Sequence, residues 1–99
     1  MMALLEISVI PVGKGTSVSK YIAEIIKYLE GQGIRYELCS MGTTIEGDLE
    51  KIFYIAKKMH EIPFKMGIHR VVTVIKIDDR RDKKINMEGK IKSVKEKVK

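Results

Sequence analysis

From Ala3 to Ile10 the chain alternates: Ala3, Leu5, Ile7 and Val9 are all apolar, while Leu4, Glu6, Ser8 and Ile10 form a mixed set. Successive strand side chains point to opposite faces, so this pattern predicts a strand with one buried face and one mixed face. Pro11 should end the strand, and Gly13 and Gly15 make the next loop flexible. The period then changes. Ser17 is placed to cap a helix running to about Glu30, with a stripe at Val18, Ile22, Ile25, Ile26 and Leu29 and with Tyr21 and Tyr28 at its margins. Gly31 to Gly33 stops it. Ile34, Tyr36 and Leu38 alternate with Arg35, Glu37 and Cys39 as a second strand; Met41-Gly42 turns, and Thr43 to Glu46 returns as a third. Asp48 is placed to cap a second helix with a stripe at Leu49, Ile52, Phe53, Ala56 and Met59 or His60. It should end near Ile62-Pro63, because the residue before a proline avoids helical geometry. Val71 to Ile77 is β-branched almost throughout and reads as a central or dimer-paired strand. Asp78 to Asp82 is a charged turn, and Met87 to Lys99 is a lysine-rich terminal helix with a thin stripe at Ile91, Val94 and Val98.

The order strand, helix, strand, strand, helix, strand, helix predicts an α+β chain. The arrangement that fits is the ferredoxin-like split β-α-β sandwich: a four-stranded antiparallel sheet, two helices on one face and a C-terminal helix, in one domain over residues 1–99. Both main helices would cover the same sheet face. The other face carries apolar Leu4 and Ile10 together with polar Ser8, Thr44 and Glu46, so full solvation fits it least. Self-association around a partly polar pocket is the expectation.

Composition adds compartment and charge. The single Cys39 cannot form an internal disulfide, which suits a reducing cytoplasm. Met1 to Ile10 carries Glu6 and lacks a basic leader and a small-residue cleavage site, so it reads as a strand rather than a signal peptide. Uncharged runs are too short to cross a bilayer. Abundant Ile, Lys and Glu, with Asn and Gln once each, point to a heat-adapted source. Residues 1–69 hold eight basic and eight acidic side chains, whereas residues 70–99 hold eleven and five, so the net charge of +6 resides entirely in the last third. A basic tail can mean nucleic acid. Here the first, third and fourth strands carry no aromatic on which a base could stack, so a solvated terminal helix is the better reading.

No nucleophile stands beside a plausible base. His60 and His69 lie nine residues apart with no cysteine or acid at ligand spacing, so neither a metal site nor catalysis is expected and no cofactor is called for. The loop Gly13 to Ser17 has glycine amides and a following helix, as phosphate loops do, but not their spacing; Lys14, Gly15 and Arg70 are at most a weak anion site. The densest polar set is Met41 to Asp48. Alternation places Thr44 and Glu46 on one face and Thr43 and Ile45 on the other. Thr43, Thr44 and Glu46, with Ser8 on the neighbouring strand and Tyr36 as the nearest strand aromatic, form the candidate ligand-binding set; a strand end feeding a helix cap accounts for the same residues without a ligand.

The runs Ile7–Gly13 and Met41–Asp48, followed by Arg70–Thr73 and Ile77–Arg80, resemble the small YkoF-like thiamine-binding proteins across nearly the whole chain. The resemblance implies a ferredoxin-like fold, dimers that pair as tetramers through their sheets, and binding of thiamine or its hydroxymethylpyrimidine half without a reaction. It implies that Glu46 accepts from the pyrimidine amine or favours the thiazolium cation, while Ser8, Thr43 and Thr44 fix orientation. It matches Arg70 and Arg80 to family positions, for subunit contacts or an anion. The alternative is a regulatory or assembly module that binds another small metabolite or an anion.

Overall fold

The computed structural model describes residues 2–99. β1 (Met2–Val12) leads to α1 (Ser19–Glu30), β2 (Arg35–Cys39), β3 (Gly42–Asp48), α2 (Leu49–Lys65), β4 (Arg70–Asp78) and α3 (Met87–Val98). The strands form one sheet in the order β2-β3-β1-β4, with every neighbouring pair antiparallel. This is the ferredoxin-like arrangement expected from the element order. α1 and α2 lie on one face. Their residues Ile25, Leu29, Ile52, Ile55, Ala56 and Met59 meet Ala3, Leu5, Ile7 and Val9 of β1 and Ile45 of β3 in one core. Each Val, Leu, Ile or Met among them stabilises the fold by about 1.5–3 kcal/mol on full burial.

Several elements depart from their expected bounds. β1 continues through Pro11 to Val12, because its ladder with β3 ends at Ile7 and the proline stands where one side of the strand has no neighbour. Ser17 does not cap α1: the N-cap is Val18, whose carbonyl accepts from Tyr21 and Ile22, and Ser17 Oγ instead lies 3.3 Å from Ser19 Oγ. The buried line of α1 is Tyr21, Ile25 and Leu29, which brings Tyr21 from the margin to the centre. α2 does not stop at Ile62 but carries Pro63 in its last turn. The ring is buried in line with Ile52, Ala56 and Met59, and this contact offsets the lost hydrogen bond to the Met59 carbonyl. At about 100° per residue, Ile55 lies nearer that line than Phe53 does, so Ile55 is buried and Phe53 faces outward. Asp48 holds the N-cap position of α2 without a side-chain capping bond.

β4 is an edge strand, not a central one; it pairs with β1 alone, and its other side is free among the described residues. The terminal helix also has a place. Register aligns Arg35, Glu46, Leu4 and Asp78 in one row across all four strands, on the face that α1 and α2 leave open. The first turn of α3 sits over this row: the Met87 amide donates to Glu46 Oε1 at 2.8 Å, Glu88 pairs with Arg35, and Lys90 with Asp78. Asn86 caps the helix by accepting from the Gly89 amide. The open face is therefore covered at its Leu4 end and bare at its Ile10 end. No helix of the described residues is long and apolar enough to cross a membrane.

Candidate functional site

β1 has eleven residues and β3 seven, so β1 outruns the β2–β3 hairpin and leaves a notch beside its last third. A cavity of about 360 Å³ occupies this notch, closed on one side by the first turns of α1. Its walls are mainly apolar, from Ile7, Val9, Val18, Ile22, Ile25 and Met59. Ser8, Ser40 and Thr43 supply hydroxyls, and Ile10, Leu38 and Met41 form an exposed rim.

The local sequence explains this shape. Ser8 Oγ donates to the Met41 carbonyl at 2.7 Å, which holds the hairpin tip against β1. A Cβ on Gly42 would lie 3.0 Å from Ser8 Oγ and 3.2 Å from the Ile7 carbonyl oxygen, so the close approach of the strands needs a glycine there. Thr43 is 5 % exposed and points to the helix side, as alternation requires. Its hydroxyl bonds to no other group among the described residues and borders the cavity.

The candidate ligand residues thus divide. Ser8 and Thr43 meet at the cavity; Thr44, Glu46 and Tyr36 do not. Tyr36 packs against the core on the helix side, away from the hairpin tip. Thr44 lies on the open face between Glu6 and Glu37, in a shallow charged cleft shared with Lys76, Asp78 and Lys90. Glu46 is 6 % exposed and already engaged: Oε1 receives the Met87 amide, and Oε2 lies 3.6 Å from Arg35 Nε. A buried carboxylate needs such partners, and here they anchor α3. Lys14 and Gly15 stand in the loop after β1, where Gly13 and Gly15 adopt φ of +102° and +89°. Register sets Arg70 opposite Val12, two residues before Lys14, at the same end of the sheet. Arg80, in contrast, is paired with Asp82 in the turn after β4.

His60 packs between α2 and β4, with Nδ1 2.6 Å from Thr73 Oγ1 and its ring edge-on to Phe64. No group of three or more His, Cys, Asp or Glu among the described residues is arranged to hold a metal ion. Sequence reasoning missed Ser40 and Ile22 as cavity residues, and Met87 as the partner of Glu46. The only signal for the cavity was length: the alternation of β1 runs on past the point where a short hairpin can follow it.

Residues 5–95 match the family model described as thiamine-binding protein. The chain is 50 % identical over 98 residues to the UPF0045 protein YqgV of Bacillus subtilis, covering 94 % of each chain. It is 41 % identical over 99 residues to a UPF0045 protein of Methanothermobacter thermautotrophicus, covering 98 % of this chain and all of that one. A hypothetical protein from Methanocaldococcus jannaschii superposes with a TM-score of 0.87 at 39 % identity, over 96 % of this chain and 97 % of that one. A Thermotoga maritima protein suggested to act in thiamine biosynthesis or salvage shares the fold, with a TM-score of 0.80 over 95 % and 99 % of the two chains at 23 % identity. Fold, sequence and matched span agree: the chain belongs to the thiamine-binding protein family.

Proposed function

We propose that this protein binds thiamine or its hydroxymethylpyrimidine half in the notch cavity, as a cytoplasmic self-associating protein that does not transform its ligand. The observation that carries the reading is the cavity: about 360 Å³, walled by aliphatic side chains, with a few convergent hydroxyls. Small-molecule sites have this size and make-up. The family match supports the class of ligand. Ser8 already gives its proton to Met41, so toward a ligand it offers lone pairs and suits an amine donor. Thr43 retains its proton for a ring nitrogen. No His or carboxylate lines the cavity, which favours binding over reaction. Self-association draws support from the free edge of β4, where Val72, Val74 and Ile75 are exposed.

Calorimetric titration with hydroxymethylpyrimidine and with thiamine tests the reading. Saturable heat is expected, with Thr43→Val about tenfold weaker, the loss of one hydrogen bond. Glu46→Gln should leave affinity within about twofold, because Glu46 serves α3. No heat from either compound at millimolar concentration would refute the proposal, and a new product by mass spectrometry would refute its non-enzymatic part. A second reading assigns an anion to Lys14, Gly15 and Arg70, on the strength of two left-handed glycines beside a lysine at the sheet end. Inorganic phosphate binding that is lost in Lys14→Ala would favour it.

A further inference from the structure

The notch leaves main-chain groups of β1 without a strand to pair with. The Ile7 carbonyl oxygen points toward β3, since it lies 3.2 Å from a Cβ placed on Gly42. Backbone groups alternate sides along a strand, and the β1–β4 register is unbroken from Leu4 to Val12. The amides and carbonyls of Ser8 and Ile10 therefore face β4, while those of Val9 face the notch. The ladder with β3 has ended at Ile7, and the Met41 carbonyl takes its bond from Ser8 Oγ. Val9 is 6 % exposed and lines the cavity. A buried amide and carbonyl left unpaired cost free energy, so such a pair calls for a partner.

We infer that the main chain of Val9 is the recognition edge of the site, its N–H donating to a ring nitrogen and its C=O accepting from the adjacent amino group of a 4-aminopyrimidine. This rests on the proposed ligand class and adds how the ring is read. One residue presents a donor and an acceptor side by side, and an aminopyrimidine presents the complementary pair on one edge. The second ring nitrogen then falls to Thr43, which register sets opposite Ile7, on the N–H side of Val9. Pro11 bears on the choice of occupant. It is the next residue whose backbone faces the notch, and it has no N–H, so a peptide strand cannot extend pairing along this edge whereas a single ring needs only Val9.

Amide hydrogen exchange on ¹⁵N-labelled protein, with and without hydroxymethylpyrimidine, tests the assignment. In the free protein the Val9 amide should exchange faster than those of Ser8 and Ile10. Saturation should slow Val9 at least tenfold more than it slows its neighbours. The pyrimidine lacking the 4-amino group should bind at least tenfold more weakly. If calorimetry shows binding but Val9 exchange is unchanged, or the desamino compound binds equally well, the recognition edge is refuted and the ligand class stands. If hydroxymethylpyrimidine gives no heat, both fall.

Discussion

At the scale of single residues, one fully enclosed side-chain polar atom lacks a partner among the described residues. The Tyr28 hydroxyl is enclosed and makes no hydrogen bond among the described residues. Burial, with a smaller contribution from nearby Tyr54, raises its pKa above 10.0. A raised folded-state value means that the contribution to stability is complete below the unfolded pKa and declines as pH rises through the folded one. Tyr28→Phe should therefore raise the unfolding free energy by up to about 1 kcal/mol at neutral pH. It should also flatten the loss of stability above pH 10, as denaturant titrations at pH 8 and above would show. Loss of stability at neutral pH would mean that the hydroxyl has a partner. Thr43 and Tyr28 make a useful contrast: neither hydroxyl has a partner among the described residues, but that of Thr43 borders the notch cavity.

At the scale of elements, α3 is held by its first turn. Twelve-residue helices are marginal alone, and Ile91, Val94 and Val98 are exposed beyond that turn, so most of the stability of α3 must come from the buried Met87, the Asn86 cap and Glu46, with less from the exposed pairs to Arg35 and Asp78. Glu46→Ala should speed amide exchange across residues 87–90 while leaving the cores of β1 and α2 protected, with a loss of about 1–3 kcal/mol for the stranded amide. Unchanged exchange in α3 would show that Glu46 does not anchor it. The legible and the illegible separate at this scale. Alternation sorted Thr43 and Ile45 from Thr44 and Glu46 because a two-residue period is local. It could not show that Glu46 meets Met87, 41 residues away, nor that a cavity would open on the Thr43 side. That cavity depends on two strands of unequal length being laid in one register, a property of neither strand alone. Pro63 misled for a related reason: its cost is local, whereas the burial that offsets it comes from the sheet.

At the scale of the molecule, the nine-residue edge of β4 carries charge only at Arg70, Lys76 and Asp78. Long apolar edges recruit further strands unless something covers them. Light scattering should therefore report a mass above that of one chain, and Val74→Lys should lower it; a monomeric parent protein would remove the argument. Charge is also distributed along the molecule in a way that has a physical consequence. The surplus of basic groups lies in residues 70–99, chiefly the β4–α3 turn and α3, and α3 roots at the Leu4 end of the sheet, whereas the cavity opens at the Ile10 end. The molecule thus carries an electric moment directed from the cavity end toward the helix. Near a negatively charged surface it should orient helix-first within about 10 Å at 0.1 M salt, presenting the cavity mouth to the bulk solution, and lose that orientation as the salt concentration rises.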